Sequence, residues 1–195
     1  MDGENFDRAY YQRFYYSPQT RIAEPAYFER LARFLAAYID LLGCPVSHVL
    51  DAGCGAGLLH STLKQAWPDV QIDAFDISPY ACERYGWMCS SIEAFTTDQL
   101  YDLVICHDVV QYLDRKAAAA ALDKLAALTT TALFFGVLTT EDWNNNCDQE
   151  LTDSNAHLRR SQWYRKRLSK DFFNAGGGLY IKRDAGLVLY ALETL

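Results

Sequence analysis

The sequence has little positive charge. Of its 195 residues, 18 are Lys or Arg and 25 are Asp or Glu, which gives a formal net charge of −7 at pH 7. This balance excludes a uniformly cationic surface of the kind that binds nucleic acid or anionic membranes, although it leaves room for a local basic patch. Half of the residues are apolar, which is enough for the core of one domain.

Long apolar runs and closely paired cysteines are also missing. No stretch approaches the roughly 18 consecutive apolar residues of a membrane span, and the charged, aromatic start of the chain is unlike a secretory signal. The sequence therefore predicts a cytoplasmic protein with no membrane segment. The six cysteines contain no CxxC pair and several lie in apolar runs, so we expect free, buried thiols rather than disulfides or a metal site. They are Cys44, Cys54, Cys82, Cys89, Cys106 and Cys147.

Short apolar runs alternate with helical patterns between residues 48 and 138, which predicts an α/β fold with a parallel sheet. The runs are unbroken, as expected of strands buried on both faces. The predicted strands are 48–52, 70–75, 87–89, 103–107 and 132–138. Helices are predicted over 25–42, 58–67 and 115–128, the last capped by Asp114, and another begins at Ser78 and Pro79.

The pattern changes after the fifth predicted strand. Residues 139–155 predict a polar loop, residues 157–172 a helix, and residues 179–183 with 187–193 a hairpin around Asp184-Ala185-Gly186. We expect one domain over residues 1–195. Its parts are an N-terminal aromatic segment (1–22), a ligand-binding core (23–138), a loop on the substrate side (139–157), and a C-terminal helix and hairpin (158–195).

A glycine-rich loop follows the first predicted strand directly. Gly53, Gly55 and Gly57 let the backbone approach a ligand closely, and the N–H groups of the following helix point to the same place. About 20 residues later, the second predicted strand ends at Asp76, a carboxylate that can accept both hydroxyl groups of a ribose. Loop and acid together predict a nucleoside-binding site.

The details of the loop favour a cationic ligand. The nicotinamide fingerprint requires a glycine at position 58, which is Leu58 here, so a dehydrogenase is disfavoured. Asp51 lies two residues before the first glycine, where a carboxylate would repel a diphosphate but attract an ammonium and a sulfonium.

The segment from Val49 to Gly57, VLDAGCGAG, resembles the first motif of the class I S-adenosylmethionine-dependent methyltransferases. The resemblance covers roughly residues 45–138. It implies S-adenosylmethionine as cofactor, S-adenosylhomocysteine as its product, and a seven-stranded sheet of order 3-2-1-4-5-7-6 with strand 7 antiparallel. The cofactor-binding residues expected from the loop and the resemblance are Asp51, Gly53, Cys54, Gly55, Gly57, Asp76, Ile77, Ser91, Ile92 and His107.

Methyl transfer from a sulfonium is an in-line displacement, which needs a nucleophile held about 3 Å from the methyl group in a dry pocket. His107 is our candidate general base because it ends the fourth predicted strand, at the edge where open α/β sheets bind ligands. The alternative is that His107 only hydrogen-bonds the cofactor or the backbone. Asp108 can orient the imidazole or cap a turn, and His157 is a second candidate base or a helix cap.

The N-terminal segment is dense in aromatic residues, and we expect it to fold over the carboxyl edge of the sheet as a lid. In the functional interpretation, Tyr11 or Tyr15 closes over the methyl group and Arg21 pairs with a carboxylate of cofactor or substrate. In the alternative, the rings only pack. A basic segment lies near the other end of the chain, with eight Lys or Arg and one acidic residue between positions 157 and 183. It indicates either an anionic acceptor or a solvated helix face.

We expect a small-molecule methyl acceptor, because the chain is acidic and has little room for a macromolecule-binding domain. Two alternatives stay open. One is an RNA or protein methyltransferase that uses the basic segment, although the net charge disfavours nucleic acid. The other is a non-catalytic subunit that binds the cofactor and activates a partner. The sequence is also compatible with a homodimer.

Overall fold

A seven-stranded mixed sheet organises the chain, whose residues 3–190 are described by a computed structural model. The strand order is β3-β2-β1-β4-β5-β7-β6. Strands β1 to β5 pair in parallel, whereas β7 is antiparallel to both β5 and β6. The predicted α/β class, strand order and antiparallel seventh strand are therefore confirmed.

The strands are β1 (His48–Ala52), β2 (Gln71–Asp76), β3 (Met88–Cys89), β4 (Tyr101–His107), β5 (Thr129–Gly136), β6 (Phe172–Gly176) and β7 (Leu179–Lys182). The α-helices are α1 (Arg8–Tyr11), α2 (Pro25–Leu41), α3 (Leu58–Ala66), α4 (Pro79–Tyr85), α5 (Arg115–Leu128), α6 (Thr140–Asn145) and α7 (Ser161–Leu168). Of the helices in residues 3–190, none combines the length and the apolar character needed to cross a membrane.

Each face of the sheet is covered by its own set of helices. On one face, α2 and α3 bury apolar side chains such as Leu35 and Leu63, and on the other α5 and α7 bury Leu125 and Leu168. Full burial of one such leucine contributes roughly 2 kcal/mol to folding. Because both faces are covered, the open carboxyl edge of the parallel strands is left as the place for a ligand.

The helix boundaries follow the predicted signals closely. The Asp114 carboxylate accepts hydrogen bonds from the backbone N–H groups of Lys116 and Ala117, both at 2.8 Å, and so caps α5. The Ser78 hydroxyl caps α4 by accepting from Ala81 N–H at 3.0 Å. Such caps satisfy N–H groups that have no partner within the helix.

The C-terminal hairpin differs from the expectation. The hairpin is formed by β6 and β7. The predicted second arm 187–193 is wrong for residues 187–190, which form no strand. Residues 191–193 lie outside the described residues. The predicted helix 157–172 spans only Ser161–Leu168. The cause is the glycine run: Gly176, Gly177 and Gly178 have φ values of 86°, 58° and 81°, a left-handed path that glycine follows without strain and that turns the chain here. Residues 172 and 173 therefore belong to β6, the strand that leads into this turn, and residue 172 is not part of a helix as predicted.

Two further local expectations need correction. The predicted polar loop 139–155 contains helix α6, which a capping box between Thr139 and Asp142 starts. The six cysteines are free, but only Cys44, Cys82 and Cys106 are buried, whereas Cys54 and Cys147 are half-buried and Cys89 is exposed.

One member of the basic segment is buried beneath the turn that follows β4. The Arg159 guanidinium donates to the Tyr164 hydroxyl at 2.9 Å, to Val110 O at 3.3 Å and to Leu113 O. Its guanidinium also lies 5.3 Å from the centre of the Trp163 ring. A buried guanidinium stays charged and needs all of these partners. Arg159 therefore holds the turn and is not available to a macromolecule.

Replacing Arg159→Met should lower the free energy of unfolding by about 2–3 kcal/mol, because two carbonyl groups and a hydroxyl lose their donor while buried. Arg160→Met is the matched control, since Arg160 is exposed, and should change it by less than about 0.5 kcal/mol. Urea denaturation measures both. Equal losses in the two variants would contradict the role assigned to Arg159.

Candidate functional site

Two adjoining cavities lie along the carboxyl edge of the sheet. The first is next to β2 and is lined by Phe75, Asp76, Ile77 and residues 90–93. The second, of about 480 Å³, is next to β1 and α2 and is lined by Asp51 and Cys54 among others. The residues that line both are Tyr10, Tyr15, Gly53, His107, Asp108 and Tyr112. A ligand that spans the two cavities would pass these six residues.

The glycine loop is held tightly against its surroundings. Gly53 and Gly57 have φ values of 79° and 68°. A Cβ atom at Gly57 would lie 2.6 Å from the Trp87 ring, and one at Gly53 would overlap the Val109 side chain. The Phe75 carbonyl of β2 accepts from Gly53 N–H at 2.9 Å. Only glycine meets these conditions, so the backbone itself forms the wall of the site.

Asp76 connects this loop to the end of β2. One carboxylate oxygen accepts from Gly55 N–H and the other from Ser78 N–H, both at 2.8 Å. Burial raises the pKa of Asp76, and the hydrogen bonds from Ser78 and Gly55 partly offset that rise. The structure thus brings the predicted loop and the predicted acid together in one place.

Asp51 is a buried acid with an unused oxygen. Its side chain is 4% exposed, and Oδ2 has no hydrogen-bond partner among residues 3–190. Burial, with a smaller contribution from the charge of Asp76, raises its pKa to about 7. An unpaired carboxylate oxygen at a cavity wall is costly to bury, and a cationic ligand would remove that cost. The residue present therefore fits the ammonium group of a ligand.

His107 lies at the junction of the two cavities and is oriented from both sides. Its Nδ1 is 3.4 Å from Asp108 Oδ2 and its Nε2 is 3.4 Å from the Tyr27 hydroxyl. The ring stacks on Phe134, with centroids 5.7 Å apart. Asp108 has φ +58°, the one positive value at a non-glycine position within the described range. Strained backbone of this kind is concentrated at functional sites.

Two residues of the junction escaped the sequence-based prediction. Tyr27 belongs to α2, and its spacing indicates only a helix face, so no local signal reveals its contact with His107. Gln111 lies in the turn after β4, and its Nε2 donates to Asp108 Oδ1 at 3.3 Å. Its position just beyond the carboxyl end of a parallel strand was a usable signal.

The N-terminal segment lies across the first cavity. Tyr10 and Tyr112 share a hydrogen bond between their hydroxyl groups at 3.0 Å, and the Tyr11 ring packs on Tyr15 at 5.3 Å between centroids. Burial raises the pKa of Tyr15 well above its ordinary value, so its hydroxyl stays protonated. Tyr15 lines both cavities, whereas Tyr11 lines the first alone.

The remaining predicted site residues are divided between the first cavity and positions outside both cavities. Ser91 and Ile92 line the first cavity with Ile77, but Arg21 lines neither cavity and contacts Glu24 instead. His157 also lines neither, and its backbone N–H donates to Gln111 O at 2.7 Å. The described residues include no group of three or more His, Cys, Asp or Glu side chains arranged for a metal ion.

The basic segment does not face the two cavities. Arg165, Lys166 and Arg183 line a separate groove between α7 and the β6–β7 hairpin. Among the described residues that line the two cavities, Arg30 is the only Lys or Arg. The arrangement therefore gives no support to the use of this segment for an anionic acceptor.

The ionisation of Asp51 should make stability depend on pH. Its folded-state pKa lies above the ordinary value of 3.8, so the protonated form stabilises the fold at low pH and this contribution is lost as pH rises through about 7. Between about pH 5 and pH 7.5, Asp51→Asn should gain about 2 kcal/mol of unfolding free energy relative to the original protein. Urea denaturation at both pH values measures this gain. Asp69→Asn, at an exposed position, is the control, and an equal pH dependence in all three proteins would refute the shift.

Part of the chain is similar in sequence to known methyltransferases. Residues 50–131 match a family model described as "Methyltransferase domain". The chain is 35% identical over 95 residues to the malonyl-[acyl-carrier protein] O-methyltransferase of Acetivibrio thermocellus, which is 44% of this chain and 34% of that protein. It is 27% identical over 96 residues to nodulation protein S of Rhizobium tropici, which is 44% of this chain and 40% of that protein. The chain spans about a third of the length of the malonyl-[acyl-carrier protein] relatives it matches.

A solved structure shares the fold. The N-methyltransferase NodS from Bradyrhizobium japonicum WM9, crystallised with S-adenosyl-L-homocysteine, superposes with a TM-score of 0.62 at 18% identity, over 92% of this chain and 100% of that one. The family match begins within β1 and ends within β5, and it includes the glycine loop, Asp76 and His107. Residues 50–131 are therefore similar to a methyltransferase domain, and the sheet built around them has the fold of a solved methyltransferase structure.

Proposed function

We propose that this protein transfers a methyl group from S-adenosylmethionine to a small-molecule acceptor. The observation that carries the proposal is the combination of a glycine loop bonded to Asp76 with the unpaired buried oxygen of Asp51 beside it. A diphosphate ligand gives no reason for that second acid, whereas a ligand with an ammonium group does.

The two cavities divide the cofactor between them in this proposal. Asp76 holds the ribose, and Ile77, Ser91 and Ile92 border the adenine in the first cavity. Asp51 pairs with the ammonium group of the methionine part in the second. The backbone of the loop that carries Gly53, Cys54, Gly55 and Gly57 forms the wall along which the cofactor lies. When bound, S-adenosylmethionine supplies an electrophilic methyl group on a sulfonium.

The acceptor then occupies the remaining space of the second cavity. His107 is the base that takes a proton from the acceptor where one must be lost, and Asp108 keeps its Nδ1 side fixed. The Tyr27 hydroxyl marks the position near Nε2 that an acceptor proton would take. The aromatic segment above the first cavity keeps water from the reacting atoms.

The alternatives receive less support. An RNA or protein methyltransferase was expected to use the basic segment, but Arg159 is buried and none of the other basic residues of the segment lines either cavity. A non-catalytic subunit would bind the cofactor without turnover, so an assay of methyl transfer distinguishes it from an enzyme.

The proposal is tested first by calorimetric titration with S-adenosylmethionine and S-adenosylhomocysteine, with NAD as control. We expect micromolar affinity for the two adenosyl ligands and none for NAD. Asp76→Asn should weaken S-adenosylhomocysteine binding by about 1–2 kcal/mol through loss of charge-assisted hydrogen bonds to the ribose.

Asp69→Asn is the matched control for that variant because Asp69 is exposed and lines neither cavity. Absence of binding by the original protein would contradict the cofactor assignment as a whole. Unchanged affinity in Asp76→Asn would contradict only the role given to that residue.

The variant His107→Gln tests whether His107 acts as a general base or has only a structural role. If His107 removes a proton during transfer, turnover of an identified acceptor should fall about 100-fold while S-adenosylhomocysteine affinity stays within about twofold. His48→Gln is the control, since His48 starts β1 at the opposite edge of the sheet. Turnover that is the same in both variants would make His107 a structural residue.

A further inference from the structure

The second cavity is lined by acids and aromatic rings. Its acidic residues are Glu24, Asp51, Asp108 and Asp153. Its aromatic residues are Tyr10, Phe14, Tyr15, Tyr27, Phe28 and Tyr112. Arg30, the one Lys or Arg among the described residues that line it, is exposed. Carboxylates and ring faces both attract cations, so the lining is complementary to a positively charged ligand.

These acids exceed what the cofactor requires. Asp51 is assigned to the ammonium group of the cofactor and Glu24 pairs with Arg21, which leaves Asp108 and Asp153 around the remaining space. Asp153 is 8% exposed, and one of its oxygens accepts from Asn155 N–H at 3.0 Å. Burial of a second carboxylate beside the same cavity is unfavourable unless a cation or donor offsets it.

Gln111 independently indicates which chemical group the ligand of the second cavity carries. The side chain is 4% exposed, and its Nε2 donates to Asp108 Oδ1 at 3.3 Å. Because an ionised carboxylate only accepts hydrogen bonds, this contact fixes which end of the amide faces Asp108. The other end, Oε1, is buried and has no partner in residues 3–190. A buried acceptor without a donor is costly, so a ligand that brings an N–H group would be favoured.

The turn that carries these groups is rigid. The buried guanidinium of Arg159 binds the carbonyl groups of Val110 and Leu113 on either side of Gln111 and Tyr112. Asp108, at the start of the turn, is kept at φ +58°. A carboxylate and an amide oxygen are therefore held in place before any ligand arrives, which reduces the ordering cost of binding.

We propose that the acceptor is an amine, which enters the second cavity as an ammonium ion bound by Asp108 and Gln111 within the aromatic lining. This inference rests on the proposed methyltransferase function and names the acceptor class for it. An anionic acceptor, one of the expectations from the basic segment, would meet the carboxylates of Asp108 and Asp153 in the same space.

The reaction balances with the groups present. The ammonium ion gives one proton to His107, and the freed nitrogen lone pair forms the new N–C bond as the C–S bond breaks. The bonding pair of C–S stays on sulfur, so the cofactor leaves as a neutral thioether. The positive charge passes from sulfur to the methylated nitrogen, where the Asp108 carboxylate stabilises it. An oxygen acceptor that loses its proton becomes a neutral ether or ester and carries no positive charge for that carboxylate to stabilise.

The test compares two ligands of similar shape and opposite charge. The protein is loaded with S-adenosylhomocysteine, and the binding of 2-phenylethylamine and 3-phenylpropanoate is measured by calorimetry near pH 7. The amine should bind at least about tenfold more tightly than the carboxylate. Asp108→Asn should weaken amine binding about fivefold, because asparagine tolerates the left-handed backbone but carries no charge.

Asp98→Asn is the matched control, since Asp98 is exposed and lines neither cavity. Equal or tighter binding of the carboxylate, binding of neither probe, or the same affinity in the Asp108 and Asp98 variants would overturn the inference. In each of these cases normal S-adenosylhomocysteine affinity leaves the proposed function standing. Failure to bind S-adenosylhomocysteine contradicts the proposed function instead.

Discussion

The carboxylate of Asp76 is the contact on which the rest of the site depends. It joins the backbone of the glycine loop after β1 to the backbone at the start of α4, through Gly55 N–H and Ser78 N–H. Those two segments leave neighbouring strands, and the Asp76 carboxylate bonds to both. The loop is further held by the Phe75 carbonyl. An acid at the end of β2 thus fixes the shape of the cavity wall as well as the charge in it.

Much of the central sheet was predictable because its signals are local. Buried parallel strands need unbroken apolar runs, and caps such as Asp114 need only a side chain next to a helix start. The C-terminal hairpin was mispredicted because an apolar run alone does not separate a helix end from a strand. There the three consecutive glycines at 176–178 decided the turn.

Tertiary contacts set the limit for the site. The loop and Asp76 were found from spacing, but Tyr27 meets His107 across 80 positions of sequence. Burial of Arg159 was equally invisible, because a charged residue in a basic run has the same sequence signature whether it is solvated or enclosed. The distribution of charge follows from these contacts. Four acids line the second cavity, whereas no Lys or Arg between positions 157 and 183 lines either cavity, so net charge alone described neither surface.

The left-handed backbone of Asp108 restricts how this site can be redesigned. At φ +58° most side chains are strained, and only glycine, asparagine and aspartate are accommodated readily. A combinatorial library aimed at new acceptors would therefore lose most of its folded members if position 108 were randomised. Tyr27, which is exposed and projects from a regular helix into the same cavity, offers the wider choice. Acceptor specificity is therefore more readily altered by substitutions on α2 than by substitutions in the turn after β4.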